Sequence, residues 1–333
     1  LKWLLVGAST IAAEYMISAI RAQSGGSVAY VVSGSEKRAA EYAAKHQIPR
    51  YGSDLDVALA SSDIDAVYIS STNEKHLPQA MAAIAAGKHV LCEKPLGMSL
   101  EEAAEMVRAA AAKRVTFATN HHLRCAGSHR AIRALVETGR IGRVLSMRLH
   151  HAVFLPPHLQ GWRLNDPNAG GGVIPDITVH DADTVRFHLG EDPAEVVAQM
   201  TASGLGQGVE DSCMSVWSMP SGVQVFAHDS FTHRYAGSGL EIHGTEGSIF
   251  GRGVMTQKPV GEIELVTAKG REVVSYSTHD LYTQGIADFE AAIAGKGRPA
   301  ADGPDGVKSL AVALAVREAA RSGTRHSVNY GGF

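Results

Sequence analysis

Cysteine is scarce in this chain. Its three cysteines, Cys92, Cys125 and Cys213, are an odd number and lack the paired spacing of a zinc or redox motif. A disulfide framework is therefore excluded, and free thiols in a reducing compartment are expected, with the cytoplasm as the default location. No H-E-x-x-H pair occurs, and the His121-His122 and His150-His151 doublets would send their side chains to opposite faces of an extended strand. No metal is expected. The chain also lacks any apolar run of about 18 residues, so no membrane span is expected, and the first apolar stretch, Trp3 to Ala8, is too short and too soon broken to read as a signal peptide. An excess of one charge is missing too. With 31 Lys and Arg against 34 Asp and Glu, the net charge is −3, which supplies no overall basic field for nucleic acid or anionic lipid.

The chain does have length, glycine and short apolar runs. Single cores usually split beyond about 250–300 residues, so 333 residues point to two domains, 1–122 and 123–333. In the first, the runs "KWLLVG", "VAYVVS", "DAVYIS", "KHVLCE" and "VTFATN" alternate with alanine-rich helical stretches, the pattern of a parallel sheet with crossover helices. The helix from Leu100 opens on a capping box, Ser99 with Glu102. Beyond Leu123 come a helix over 126–138, a strand over 144–154 and a helix over 176–189. Six strands then follow in close succession, "EVVAQMTA", "SCMSVWSM", "GVQVFAHD", "GLEIHG", "GSIFG" and "EIELVTA", which favours a largely antiparallel sheet. Helices over 281–294 and 306–322 finish the chain. The fold class is α/β: an N-terminal doubly wound Rossmann sheet, then an α+β domain with an open, mainly antiparallel sheet.

"VGASTIAAEY" puts Gly7, Ser9 and Ala12 in the positions of a G-x-G-x-x-G/A fingerprint, after a strand and opening a helix. Ser9 holds the second position, where its side chain either enlarges the gap to a pyrophosphate or donates its hydroxyl to one. The end of the second strand reads "VVSGSEKRA". An acid there would accept from a ribose 2′-hydroxyl, whereas Ser33 and Gly34 leave space and Arg38 offers a permanently charged fork suited to a 2′-phosphate. NADP(H) is expected rather than NAD(H).

At "AGKHVLCEKPLGMS" the chain resembles the glucose–fructose oxidoreductase and inositol dehydrogenase family through its Glu93-Lys94-Pro95 signature. The resemblance continues in "STNEKH" (71–76), "TNHHLR" (119–124), "GWR" (161–163), "GGGVIPDITVHDAD" and "HGTEGS". It implies a dinucleotide domain followed by a domain with the substrate site. By resemblance, cofactor contacts fall on Ser9, Thr10, Ile11, Ala12, Ser33, Gly34, Arg38, Ser71, Thr72, Asn73, His76, Glu93, Lys94, Asn120, Trp162 and Arg163, with Tyr282 a further candidate. Two departures from the family pattern are Ser9 and the Ser71-Thr72-Asn73 run, where many relatives carry Thr-Pro-Asn.

Reduction of a carbonyl needs a hydride donor, a group that steadies the developing alkoxide and an acid. Lys94 follows the strand "KHVLCE" at the edge where open α/β sheets bind ligands, so its ammonium suits the second task. Asp176 and His180 are four apart on an expected helix, which puts them on one face, with the carboxylate orienting and charging the ring. Either His180 or Lys94 is expected to pass the final proton. His151 and His158 read as polar sheet positions. The function expected is NADPH-dependent reduction of a sugar carbonyl. Its rivals are another NADP-linked sugar or polyol dehydrogenation and a non-catalytic NADP-binding sensor. A sensor needs no acid, so Lys94, Asp176 and His180 together favour an enzyme with a small-molecule sugar substrate. Monomer and homo-oligomer are both left open.

Overall fold

The computed structural model describes Leu1–Phe333. The chain forms two compact units, Leu1–His122 with Tyr282–Val307, and Leu123–Leu281 with Lys308–Phe333. A single boundary after residue 122 would assign Tyr282–Val307 to the second unit, but the segment closes the first. Phe289 lies against Trp3 with ring centroids 5.5 Å apart, the Trp3 indole donates to Glu290 at 3.4 Å, and the Thr119 amide donates to the Ala301 carbonyl at 3.2 Å.

The first unit holds β1 (Lys2–Val6), β2 (Ser27–Val32), β3 (Tyr51–Gly52), β4 (Ala66–Ile69), β5 (His89–Cys92) and β6 (Phe117–Thr119). They form a sheet in the order β3-β2-β1-β4-β5-β6, parallel throughout. Helices cover both faces of such a sheet, so the central strands read as near-continuous apolar runs: every residue of β4 and all of β1 beyond Lys2 are buried. The helix Leu100–Lys113 starts where the capping box is expected, with Ser99 Oγ accepting from the Glu102 amide at 3.2 Å. The return bond goes one residue further back, from the Met98 amide to Glu102 Oε2 at 2.8 Å.

The second unit contains β7 (Val144–Ala152), β8 (Glu195–Thr201), β9 (Ser212–Ser218), β10 (Gln224–Ser230), β11 (Gly239–Gly244), β12 (Gly247–Arg252), β13 (Glu262–Thr267), β14 (Gly270–Val273) and β15 (His326–Ser327). Their order is β14-β13-β12-β11-β7-β10-β9-β8-β15. Every pair is antiparallel except β7 with β10, which run parallel at the middle of the sheet. Side chains alternate with period two: on β9, Cys213, Ser215 and Trp217 are buried while Met214 and Val216 are exposed. The buried face forms one core with Met147, Leu149, Trp217, Val225, Leu240 and Ile242. Helices Gly127–Glu137 and Val179–Leu189 pack on this unit's strands.

The helix expected over 176–189 is composite. A π turn, Ile174–Thr178, precedes the α-helix Val179–Leu189. No helix is long and apolar enough to cross a membrane.

Candidate active site

In the first unit, the turn after β1 is held in a form that only glycine adopts easily. Gly7 has φ 110°, and a Cβ there would lie 3.0 Å from the Ser70 carbonyl carbon. Thr10 and Ile11 open the helix, and the first-turn amides face the sheet's carboxyl edge, an arrangement that suits a phosphate. The Ser9 hydroxyl is engaged within the protein. Ser9 Oγ accepts from the Ala12 amide at 3.2 Å and lies 2.7 Å from Ser70 Oγ. Its side chain caps the helix and ties the ends of β1 and β4 together.

Ser33 is buried at the end of β2 and its amide donates to Gly52 at 3.1 Å, while Gly34 is exposed with open space where a Cβ would stand. Ser35 caps helix Glu36–His46, which aims two side chains at the turn after β1. Arg38 Nη2 donates to the Ala8 carbonyl at 2.9 Å. Tyr42, which the sequence reading overlooked, donates its hydroxyl to the Ser9 carbonyl at 2.9 Å. The exposed guanidinium of Arg38 is thus steered to the carboxyl ends of β1 and β2.

After β4, Ser71 donates to Gln79 at 2.6 Å and Thr72 to Glu74 at 2.7 Å, and Asn73 is buried. His76 is fully buried, with Nδ1 2.9 Å from the Pro95 carbonyl and Nε2 3.3 Å from that of Ser71. Burial pushes its pKa below the ordinary imidazole value. A neutral ring carries a single N–H and so donates to one of these carbonyls, and the buried His76 sits between the turn at Ser71 and the turn after Lys94.

Glu93, at the end of β5, is the acceptor of a small buried network. Tyr68 donates to its Oε1 at 2.5 Å and Asn120 Nδ2 to the same oxygen at 2.6 Å. Burial raises the Glu93 carboxyl, and the bonds from Asn120 and Tyr68 and the charge of Lys94 oppose that rise. Tyr68 was also overlooked. Its signal is a hydroxyl in the otherwise apolar strand "AVYI", where a buried polar group needs a partner. Lys94, half-buried, follows directly. Tyr282 is buried with Tyr15 stacked on its ring at 4.7 Å and His122 at 5.3 Å. Its neighbours are these rings, and its place is in the core of the first unit.

In the second unit, Trp162 and Arg163 open the short helix Trp162–Asn165. The Arg163 guanidinium stands 4.6 Å from the Trp162 ring centroid and its Nε is 3.5 Å from Asp176 Oδ2. "GGG" at Gly170 to Gly172 wraps this helix so closely that a Cβ on Gly171 would meet the Trp162 carbonyl oxygen at 2.5 Å. Glu210 Oε1 accepts from the Ile174 amide at 3.2 Å and holds the start of the π turn that carries Asp176. Asp176 lies in the π turn and His180 in the first turn of the α-helix that continues it, and Arg163 is a partner of Asp176. His180 is buried in the first turn of the α-helix, and its ring centroid is 6.3 Å from that of His151.

The following residues point to different supports. His151 Nδ1 is 3.1 Å from Asp181 Oδ1, whereas Asp183 accepts a two-pronged bond from Arg124, Nε at 2.8 Å and Nη2 at 2.7 Å. The helix that carries His180 is thus tied to its surroundings through two buried acids.

The arrangement in each unit agrees with what known proteins show. A family model described as "Oxidoreductase family, NAD-binding Rossmann fold" matches residues 1–121, and "GFO/IDH/MocA C-terminal domain" matches residues 129–250. Over 331 residues, covering 99% of each chain, this chain is 53% identical to the 1,5-anhydro-D-fructose reductase of Ensifer adhaerens. Among solved structures it is similar in fold to the aldose-aldose oxidoreductase of Caulobacter crescentus complexed with glycerol, at a TM-score of 0.90, 23% identity and coverage of 98% and 99%. It is likewise similar to levoglucosan dehydrogenase in complex with NADH and L-sorbose, at a TM-score of 0.88, 24% identity and full coverage of both chains. The chain belongs to the GFO/IDH/MocA family of NAD(P)-binding oxidoreductases.

Proposed function

We propose that this enzyme reduces the C2 carbonyl of 1,5-anhydro-D-fructose to 1,5-anhydro-D-mannitol with NADPH. The observation that carries the reading is the likeness along 99% of both chains to the reductase of Ensifer adhaerens, with Lys94, Asp176 and His180 at the positions described. The first unit fits a dinucleotide, because the glycine turn at Gly7 leaves no room for a side chain and the helix start behind it offers amides. Thr10 to Ala12, Ser33, Gly34, Arg38, the turn at Ser71 to Asn73 and the Glu93–Asn120 network would hold it, with Trp162 and Arg163 as further contacts. NADPH, when bound, supplies the hydride.

The Lys94 ammonium steadies negative charge as it develops on the substrate oxygen. Asp176, shared between Arg163 and the His180 helix, orients the imidazole. His180 delivers the proton, so the carbonyl carbon gains a hydride and its oxygen gains H⁺. The three cysteines are buried and form no disulfide, which suits a reducing cytoplasm.

The test is a comparison of specificity constants. NADPH oxidation with 1,5-anhydro-D-fructose should show a higher kcat/KM than with glucose, xylose or an inosose. Equal or better use of those sugars would instead make this a different sugar or polyol dehydrogenase.

Arg38 is the discriminating residue for the cofactor. A hydrogen bond to a charged group is worth about 1.5–3 kcal/mol, so Arg38→Ala should weaken NADPH by about ten- to hundredfold. NADH affinity should change little. Titration by fluorescence or calorimetry reads both constants, and equal weakening of the two would show that Arg38 serves the turn at Ala8 rather than a 2′-phosphate.

A further inference from the structure

Next to His180 in the sequence, within the second unit, Asp181 joins three other polar side chains in a chain of contacts. Thr178 and Asp181 come from the π turn and the α-helix, and His151 and Asp229 from β7 and β10. His151 and Asp229 are directly paired across the parallel strands. Thr178, Asp181 and Asp229 are wholly buried and His151 nearly so. At one end, the Thr178 hydroxyl donates to Asp229 Oδ2. At the other, His151 Nδ1 meets Asp181 Oδ1 at 3.1 Å. Asp181 Oδ2 and Asp229 Oδ1 are left in the middle, both buried and neither receiving an N–H or O–H from any other group. The two carboxyls are close enough to act on each other, and these two oxygens are the atoms left to meet. Two carboxylates offer acceptors only, so a bond between them requires a proton on one of them.

We propose that Asp181 and Asp229 share a single proton, and that this acid–carboxylate pair is the positioning device that keys the helix carrying Asp176 and His180 onto the sheet. The proposal rests on the proposed function for its catalytic meaning, since it takes Asp176 and His180 as the chemical groups. Like charges at hydrogen-bond distance do not both ionise in a dry interior, and a buried polar network that is fully satisfied fixes one register of the elements it joins. Only the singly protonated pair satisfies every member here. The Thr178 hydroxyl fills one end and the His151 ring the other, so a slipped helix would leave orphaned acceptors on both sides.

The groups that face the pair are few. They are His151 from β7, Cys213 from β9, directly opposite Asp229, and Thr178 from the π turn, while His180 and Asp183 are the nearest titratable groups along the helix sequence. Asp183 is occupied by Arg124. Burial raises both carboxyls, and in Asp229 the neighbouring Asp181 raises it further. The Cys213 thiol is pushed up by burial and by Asp229, which keeps it neutral.

The sign of the pH effect follows. An unfolded aspartate loses its proton near pH 3.9, whereas the folded pair keeps one to a higher pH. Stability from this source is complete below about pH 4 and declines as pH rises, until the pair itself ionises. Asp229→Asn tests this directly. Its amide Nδ2–H donates to Asp181 and its carbonyl accepts from Thr178, so the bonds persist without a titrating proton. Relative to the parent, the folding equilibrium constant of Asp229→Asn should lose its pH dependence by about tenfold per unit in the window between the two pKa values, read from denaturation midpoints across pH 5 to 8. Parallel profiles for the two proteins would overturn the shared proton.

Positioning is read separately. Asp229→Val should lower kcat with the NADPH dissociation constant unmoved, and Asp229→Asn should rescue that loss. If Asp229→Val keeps full kcat, the pair does not position the site. The stability profile is independent of which groups perform the chemistry, so a wrong assignment of His180 would leave the Asp229→Asn result intact.

Discussion

Turnover of 1,5-anhydro-D-fructose falls by about 10²–10⁴-fold in His180→Asn, the usual contribution of a positioned acid. Asparagine keeps a polar group of similar breadth in the first turn of helix Val179–Leu189, so packing at this buried site changes little. It cannot, however, deliver a proton. The groups proposed to hold the adenosine half of the cofactor are in the first unit, and NADPH affinity should therefore persist. A loss confined to kcat and kcat/KM marks an interaction made only in the transition state, and stopped-flow measurement of NADPH oxidation under saturating sugar would isolate it. Near-parental turnover in His180→Asn would remove His180 from the proton transfer and assign the step to Lys94.

The largest loss of stability is expected at Arg124. Its guanidinium grips Asp183 through two bonds while exposing only 9% of its side chain, and Asp183 exposes 2%. Removing one partner of a buried pair has a typical cost of about 3–5 kcal/mol. Arg124→Ala should thus lower the melting temperature of the second unit by roughly 10 °C. The Ser309 hydroxyl, which donates to Asp183 at 3.2 Å, and the Arg186 guanidinium, 3.8 Å from Asp183 Oδ1, soften the loss without replacing the two-pronged bond. The double variant Arg124→Met, Asp183→Leu should recover most of it, because well-packed apolar groups of similar volume are often neutral replacements for a buried ion pair. Calorimetry of the single and double variants distinguishes the charge effect from simple loss of packing, for which the double variant would be the worse of the two.

The strands were legible wherever both the apolar run and its flanking turns were long enough to register. β1, β2, β4, β5 and β6 each appear as short runs of valine, leucine, isoleucine or aromatic residues. The edge strands β3 and β15 are two residues each and carry no periodicity. The parallel match of β7 with β10 was invisible because neighbours in the chain announce only hairpins, and these two strands are far apart in sequence. The π turn at Ile174 to Thr178 has the composition of any helix start, so its departure from α-helical bonding could not be anticipated.

Buried polar partners were readable in part. Asp229 follows Val225 and Ala227 on the inward face of "QVFAHDS", and a carboxylate in that phase of the alternation signals a partner across the sheet. His151 follows Met147 and Leu149 in the same way. The family motifs located Lys94, Glu93 and Arg38, yet they did not distinguish residues that face solvent from residues that brace a turn, as His76 does.

The first unit's need for Tyr282–Val307 shapes how the protein is made. When residue 122 leaves the ribosome, Trp3 still lacks Phe289 and the end of β6 still lacks the Ala301 carbonyl. Translation at about 5–20 residues per second supplies that segment on the order of ten seconds later. The nascent Rossmann half spends that interval with an open flank, and its final consolidation comes only after most of the second unit has been synthesised.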